Sequence, residues 1–165
     1  MRARHLPVIL AGLAAGLAIA ATAQAAAYKL GSLEVAQAWS RPAGAGTNGA
    51  GFMTVTNRGK AADILTKVES PVAERVEMHK TSMANAIMSM KRLDAGLPLA
   101  AGESVTFAPG GYHLMLIRLT RALKTGDVVP ATLTFASGAK LKVEFPVRAS
   151  AAEPGDMGGM EHMRH

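Results

Sequence analysis

The chain has 165 residues, of which 18 are Lys or Arg, 12 are Asp or Glu and none is Cys, so its formal net charge is +6. The missing thiol excludes disulfide bonds, thiol–disulfide exchange and every metal site that requires a thiolate. The basic residues are scattered, without runs or interleaved aromatic side chains, and this distribution does not indicate binding to nucleic acid.

The first 25 residues have the pattern of a secretory signal peptide. Arg2 and Arg4 are basic, residues 6–21 are apolar, and Ala23-Gln24-Ala25 fits a small-x-small cleavage site. The apolar run is shorter than the roughly 20 residues that a membrane-spanning helix needs. We therefore expect residues 1–25 to be cleaved and the exported protein to be soluble and not membrane-spanning. An uncleaved N-terminal anchor is the alternative.

The region that follows, residues 26–148, has the length of one domain with its own hydrophobic core. Residues 33–39 alternate in polarity, which predicts a strand with Leu33, Val35 and Trp39 on the same face. Pro42 ends this predicted strand.

Further short segments are β-branched or alternate in polarity and are separated by turn residues. The other predicted strands are 52–57, 62–69, 72–79, 87–93, 103–107, 112–119, 127–135 and 139–147. Residues 42–51 and 80–86 are predicted to be loops, and residues 94–102 to be turns. Seven to nine short strands at this spacing, without helical periodicity, predict an all-β sandwich or small barrel.

The last segment, residues 149–165, differs in composition from the domain. It reads SAAEPGDMGGMEHMRH from Ser150 onward, with no aliphatic residue larger than Ala, and is predicted to be disordered without a ligand. Its potential metal donors are Met157, Met160, His162, Met163 and His165.

Thioether and imidazole side chains are concentrated between residues 78 and 115. They are Met78, His79, Met83, Met88, Met90, His113 and Met115. Neutral sulfur and nitrogen donors suit the soft ion Cu(I), whereas zinc sites use Cys, His and carboxylate. A blue-copper electron-transfer site needs a thiolate, so copper held by this chain is predicted to be carried and not used for electron transfer.

His113 and Met115 lie two residues apart in a predicted strand. Their side chains should therefore point to one face, while Leu114 and Leu116 face the core. The alternative is a structural histidine satisfied by the backbone, with Met as core filler. The turn at Gly110-Gly111 favours an exposed ligand pair.

His79 is predicted to end its strand beside the loop 80–86, where binding residues often lie. Met88 and Met90 form a second pair two residues apart, from which we expect one ligand and one accessory or packing residue. Met83 lies in the predicted loop 80–86 and is left open between a ligand and a packing residue, while Met78 and Met53 are interpreted as core. The predicted metal ligands, drawn from three segments, are His79, Met90, His113 and Met115, with Met88 as an accessory donor.

Several of these segments resemble the periplasmic copper chaperone PCu(A)C family. The resemblance lies in residues 77–79, 88–91, 99–103, 109–116, 126–127, 133–135 and 146–147. The family motif is a His, a Met about a dozen residues later, and a His-x-Met about two dozen beyond. It falls on His79, Met90, His113 and Met115, and Lys80 departs from the Met that many members have next to the first His.

The resemblance implies a cupredoxin-like β-sandwich, or Greek-key barrel, in the periplasm. It implies binding of Cu(I) and delivery to the Cu(A) or Cu(B) centre of cytochrome oxidase during assembly. The implied partners are the copper-bearing subunit of the oxidase and a Sco-type thiol copper protein. Some members carry a Met/His-rich extension similar to residues 149–165, which predicts a second site that includes Cu(II) bound by its histidines. A solvated tail without function is the alternative.

Two other classes of function compete with a chaperone. Periplasmic copper storage or detoxification would use several copper ions per chain, and the five tail donors are consistent with it. An enzyme is not expected, because no Ser-His-Asp pattern is present and two of the four histidines after the signal peptide lie in the tail.

Overall fold

A computed structural model describes residues 27–149. The predicted signal peptide, residues 1–25, lies outside the described residues, and so do residues 150–165 with all five tail donors.

The described chain is built from strands joined by short turns. The strands are β1 Tyr28–Leu30, β2 Leu33–Ser40, β3 Gly49–Asn57, β4 Asp63–Glu69, β5 Ala73–Ala84, β6 Ile87–Arg92, β7 Leu97–Leu99, β8 Ser104–Phe107, β9 Tyr112–Leu119, β10 Val128–Phe135 and β11 Lys140–Pro146. Between residues 27 and 149 there is no helix of the length and hydrophobicity required to cross a membrane.

The strands form two sheets that pack against each other. The larger sheet has the order β1-β2-β3-β8-β9-β5-β6, and the smaller has the order β11-β10-β4-β7. Side chains from both sheets meet in one core, in which Val35, Val55, Leu65, Leu99 and Leu133 are fully buried. The predicted all-β sandwich is confirmed, with eleven strands among residues 27–149 where seven to nine were expected.

The two strands that were not predicted, β1 and β7, are only three residues long. β7 was predicted to be a turn because it contains Pro98. It lies at the edge of the smaller sheet, where Leu97 pairs with Leu65, and an edge strand tolerates proline because one side of its backbone has no strand to bond.

The predicted loop 80–86 is wrong, because β5 continues as far as Ala84. A two-residue turn, Asn85-Ala86, then leads directly into β6, and both turn residues have positive φ angles of 51° and 61°. A turn of this kind matches the twist of antiparallel strands and gives a tight hairpin. The segment is therefore an ordered two-stranded ladder.

The alternation predicted for β2 fails after Ala36. Gln37 has a φ of 54°, and the pairing of β2 with β3 shifts register between Ala36 and Trp39. Such a bulge moves the following side chains to the other face of the sheet. Ala38 consequently joins the core, while Trp39 packs on Phe52 outside it, with 4.6 Å between the ring centroids.

Candidate metal site

Both histidines of the domain lie on the outer face of the larger sheet, which is directed away from the smaller sheet. His79 is directly opposite His113 in the antiparallel pair of β5 and β9, while their neighbours Met78 and Leu114 are buried in the core. The imidazole centroids are 5.7 Å apart. Two imidazoles at this separation can bind one metal ion, since a metal–nitrogen bond is about 2 Å long.

The two thioethers of the predicted set lie on the same face. Met115 follows His113 by two residues on β9. Met90, on β6, is opposite Thr81, and because Thr81 follows His79 by two residues, Met90 shares the face of His79. The fold thus brings the four predicted ligands to three adjacent strands.

The two thioethers are nevertheless on opposite sides of the histidine pair. Met115 is opposite Glu77, before His79 on β5, whereas Met90 is opposite Thr81, after it. The spacing of strands and residues in a sheet puts the backbones of Met90 and Met115 roughly 16 Å apart. His79, His113 and Met115 are therefore the compact part of the site, and Met90 lies farther out, with 54% of its surface exposed.

Glu77 is a further residue of the site that the sequence analysis did not single out. Its Oε2 atom lies 2.8 Å from Nε2 of His79, and its Oε1 atom accepts hydrogen bonds from Arg75 at 2.8 Å and Arg92 at 3.3 Å. The hydrogen bond from Arg75, followed by those from His79 and Arg92, lowers the pKa of Glu77 from 4.5 to about 2. Its position two residues before His79 in a predicted strand was the available signal.

These contacts assign the protons of both imidazoles. An ionised carboxylate only accepts, so Nε2 of His79 carries the proton that bonds to Glu77, and in the neutral ring Nδ1 holds the lone pair. Nδ1 is buried and has no hydrogen-bond partner among residues 27–149. In His113, Nδ1 donates to the Gly111 carbonyl at 3.2 Å, which leaves the lone pair on Nε2. Each ring thus keeps one nitrogen available to a metal ion.

The remaining methionines divide between the core and the surface. Met53 and Met78 are 1% and 6% exposed, as predicted for core residues. Met83 is in β5, directly opposite Met88, and both are about two-thirds exposed. His79 is inside β5 and not at a strand end, because its strand continues to Ala84.

The donor set around the histidines is mixed in chemistry. In the described part of the chain, no three His, Asp or Glu side chains come together as a metal site. Arg92 is directly opposite His79 on β6, and the nearest groups that could bind a metal are the thioether of Met115 and the carboxylate of Glu77, which is already bonded to Arg75 and Arg92. An ion bound to both imidazoles here would have soft sulfur as its next neutral donor.

The sequence matches a family model over residues 33–147, described as "Putative lipoprotein LpqE-like". A protein of Leifsonia xyli subsp. xyli, "Putative lipoprotein Lxx21020", is 32% identical over 149 residues, which cover 90% of this chain and 89% of that protein.

The fold of this protein is similar to that of solved structures, among them the following two. The copper-bound PCuAC domain from PmoF2 is 26% identical with a TM-score of 0.64, and the match covers 75% of this chain and 98% of that domain. The solution structure of CuI-DR1885 from Deinococcus radiodurans is 27% identical with a TM-score of 0.54, covering 77% of this chain and 82% of that protein. The fold is that of PCuAC domains, as the cupredoxin-like prediction implied.

Proposed function

Because the chain belongs to the LpqE-like family and has the fold of PCuAC domains, we propose that it is a copper-binding metallochaperone. The resemblance to the PCu(A)C family is confirmed. The observation that carries the proposal is the pairing of His79 with His113 on an outer sheet face, next to Met115.

We propose His79, His113, Met115 and Met90 as the Cu(I) ligands. Two neutral imidazoles and two neutral thioethers suit a soft monovalent ion that imposes little geometry. Nδ1 of His79 and Nε2 of His113 are the nitrogens with available lone pairs. Because its backbone is roughly 16 Å from that of Met115, Met90 would reach the ion only when the exposed end of β5 and β6 bends toward the histidines. It would therefore complete the set last and leave first, which fits a protein that has to release its cargo.

The finer proposal concerns where copper goes. The protein would act in the periplasm after removal of residues 1–25, and deliver Cu(I) to the copper-bearing subunit of cytochrome oxidase during assembly. A Sco-type thiol protein would be a second partner, because thiolates bind Cu(I) more strongly than thioethers and can take it over. As a carrier, the protein would catalyse no reaction.

The donors in residues 149–165 are the reason for an alternative to the chaperone function, namely copper storage or detoxification. Met157, Met160, His162, Met163 and His165 are proposed as an accessory site, in which the histidines can also hold Cu(II). Met88 is proposed as an accessory donor within the domain. A storage protein would fill the tail as tightly as the domain.

The test is an anaerobic Cu(I) titration against a colorimetric chelator. It compares the mature protein, a truncation after Ala149, His113→Ala, and Thr81→Ala as a control on the same sheet face. We expect one tight copper in the truncation and in Thr81→Ala, and its loss in His113→Ala. Tight binding that disappears with the tail and survives His113→Ala would instead favour storage.

Delivery needs a cellular experiment. Deletion of the gene should lower cytochrome oxidase activity at limiting copper, and added copper or the wild-type gene should restore it. A gene that encodes the His113→Ala variant should not restore the oxidase activity. A deletion strain that loses copper tolerance but keeps oxidase activity would contradict delivery and favour detoxification.

A further inference from the structure

The hairpin formed by residues 81–90 extends beyond the neighbouring strand. The last pair between β5 and β9 is Lys80 with Tyr112, and from Thr81 onward β5 pairs only with β6. Every residue of β6 is exposed. This segment, the methionine hairpin, is thus an ordered ladder with solvent on both faces.

The two faces of the methionine hairpin differ in chemistry. Met83 is directly opposite Met88, and Met90 follows Met88 by two residues, so these three thioethers share one face. The other face has no thioether: there Ser82 and Ser89 are linked by a hydrogen bond of 2.9 Å, and Ala84 is opposite the exposed Ile87.

The side chains of the three methionines are mostly exposed to solvent and are not packed in a core. The exposed fractions are 68% for Met83, 67% for Met88 and 54% for Met90. Among the described residues, none covers this face. Large side chains with this exposure, placed together, usually serve a binding function.

The register puts the three sulfur atoms within reach of one ion. The β-carbons of residues directly opposite each other are about 5 Å apart, and those of diagonal pairs about 7 to 8 Å. A Met side chain has three rotatable bonds, and metal–sulfur bonds are about 2.3 Å long. The thioethers of Met83, Met88 and Met90 can therefore converge without a change in the backbone.

We infer that Met83, Met88 and Met90 form a second Cu(I) site, made of three neutral thioethers, which shares Met90 with the histidine site. This inference takes one element from the proposed function, the identity of the ion as Cu(I). Copper would pass between the sites by ligand exchange at Met90: bonds to Met83 and Met88 break while bonds to His79 and His113 form. No electron or proton is transferred, because copper stays Cu(I) and the thioethers carry no proton.

The position of Met90 supports this exchange. Its backbone is roughly 16 Å from that of Met115, but it is next to Met88 on the same strand. Met90 is thus at least as well placed for the hairpin site as for the histidine site. A residue between two donor groups is suited to hand an ion from one to the other.

The test uses the full mature chain with methionine methyl groups labelled with ¹³C, titrated anaerobically with Cu(I). We expect the methyl resonances of Met83, Met88 and Met90 to shift, both in the wild type and in His113→Ala. In excess Cu(I), Met90 would complete the hairpin site while His79, His113 and Met115 hold an ion of their own. In the double variant Met83→Leu/Met88→Leu, we therefore expect one copper fewer per chain than in the wild type. Leucine keeps the apolar surface and removes the sulfur. If the methionines served only as an apolar docking surface, the double variant would bind as much copper as the wild type.

Two controls accompany the titration. Ile87→Ala removes an exposed apolar side chain of β6 that carries no donor, and should bind as much copper as the wild type. The buried methyl groups of Met53 and Met78 should not shift. Circular dichroism checks that the double variant keeps its β-sheet signal.

The inference is overturned if the Met83 and Met88 resonances stay in place in excess Cu(I) and the double variant binds as much copper as the wild type. Failure of the proposed function is a separate result. In that case the hairpin resonances shift while Met115 does not, and the inference stands without the histidine site.

Discussion

Glu77 holds the imidazole of His79 through a 2.8 Å contact between Oε2 and Nε2, and two arginines hold Glu77 in turn. The carboxylate thereby decides which ring nitrogen keeps the lone pair. Partners of this kind, which orient a metal-binding imidazole, typically change metal affinity by about 10- to 100-fold when they are removed.

The first prediction follows for Glu77→Ala. We expect Cu(I) affinity to fall by about 10- to 100-fold, because His79 would sample both tautomers and ring orientations. A competition titration measures the affinity, and ¹⁵N NMR of the copper-free protein measures the tautomer of His79.

Glu74→Ala is the matched control, since Glu74 is a half-exposed carboxylate on the same strand that contacts arginines and no histidine. It should change neither measurement. Unchanged affinity and an unchanged tautomer in Glu77→Ala would show that Glu77 only stabilises the sheet.

The second prediction concerns stability in acid. The folded protein lowers the pKa of Glu77 from 4.5 to about 2, so its ionised form is favoured by folding. The contribution of this carboxylate to the free energy of unfolding should be complete above pH 4.5 and should be lost as the pH falls toward about 2.

Urea unfolding of the wild type and of Glu77→Gln over this pH range measures the effect. The difference between the two proteins should be constant above pH 4.5 and shrink below it. A difference that grows as the pH falls would contradict the assigned contacts.

The third prediction compares the two thioethers of the histidine site. Met115→Leu and Met90→Leu keep the side-chain volume and remove the sulfur. Loss of a direct ligand should weaken Cu(I) binding at least as much as loss of an orienting partner, by about tenfold or more. The effect should be larger for Met115, which is closer in register to the histidine pair.

The same chelator competition gives both affinities, and Thr81→Ala, which lies opposite Met90, serves as the control. Equal affinities in Met115→Leu and the wild type would remove Met115 from the ligand set.

The fourth prediction concerns the turn before β7. Gly96 has a φ of 83°, and a β-carbon there would lie 2.6 Å from the Leu65 carbonyl oxygen. Gly102 has a similar φ of 76° but no atom within 4 Å of the added carbon. Gly102→Ala should therefore cost only about 1 to 2 kcal/mol of backbone strain, and Gly96→Ala clearly more.

Urea unfolding of the two variants compares these costs directly. Both turns precede short segments away from the histidine pair, so Cu(I) affinity of the folded variants should equal that of the wild type. Equal destabilisation by the two substitutions would show that the carbonyl of Leu65 can move aside.

Local patterns in the sequence were sufficient for several features. The strand period put Leu114 and Leu116 in the core and His113 with Met115 on the opposite face, and the structure agrees. The bounds of β9 were predicted correctly, because the turn Gly110-Gly111 directly precedes it and residues 112–119 are almost all apolar. The donor types and the missing cysteine depend on composition alone.

Local patterns failed where a single residue changes the geometry. Gln37 adopts a positive φ, and the resulting bulge reverses the face of Trp39. Asn85-Ala86 forms a tight turn although Ala rarely has a positive φ, so the hairpin was interpreted as a loop. Gln and Ala, unlike Asn, give no sequence signal for a positive φ.

What the sequence by itself determined is the chemistry of the donors and the side of a strand on which each one lies. Only the tertiary structure decided that His79 is opposite His113, that Glu77 bonds to His79, and that Met83 is opposite Met88. The reason is physical: the two-residue period is local, whereas pairing between distant strands depends on how both sheets bury their apolar faces together.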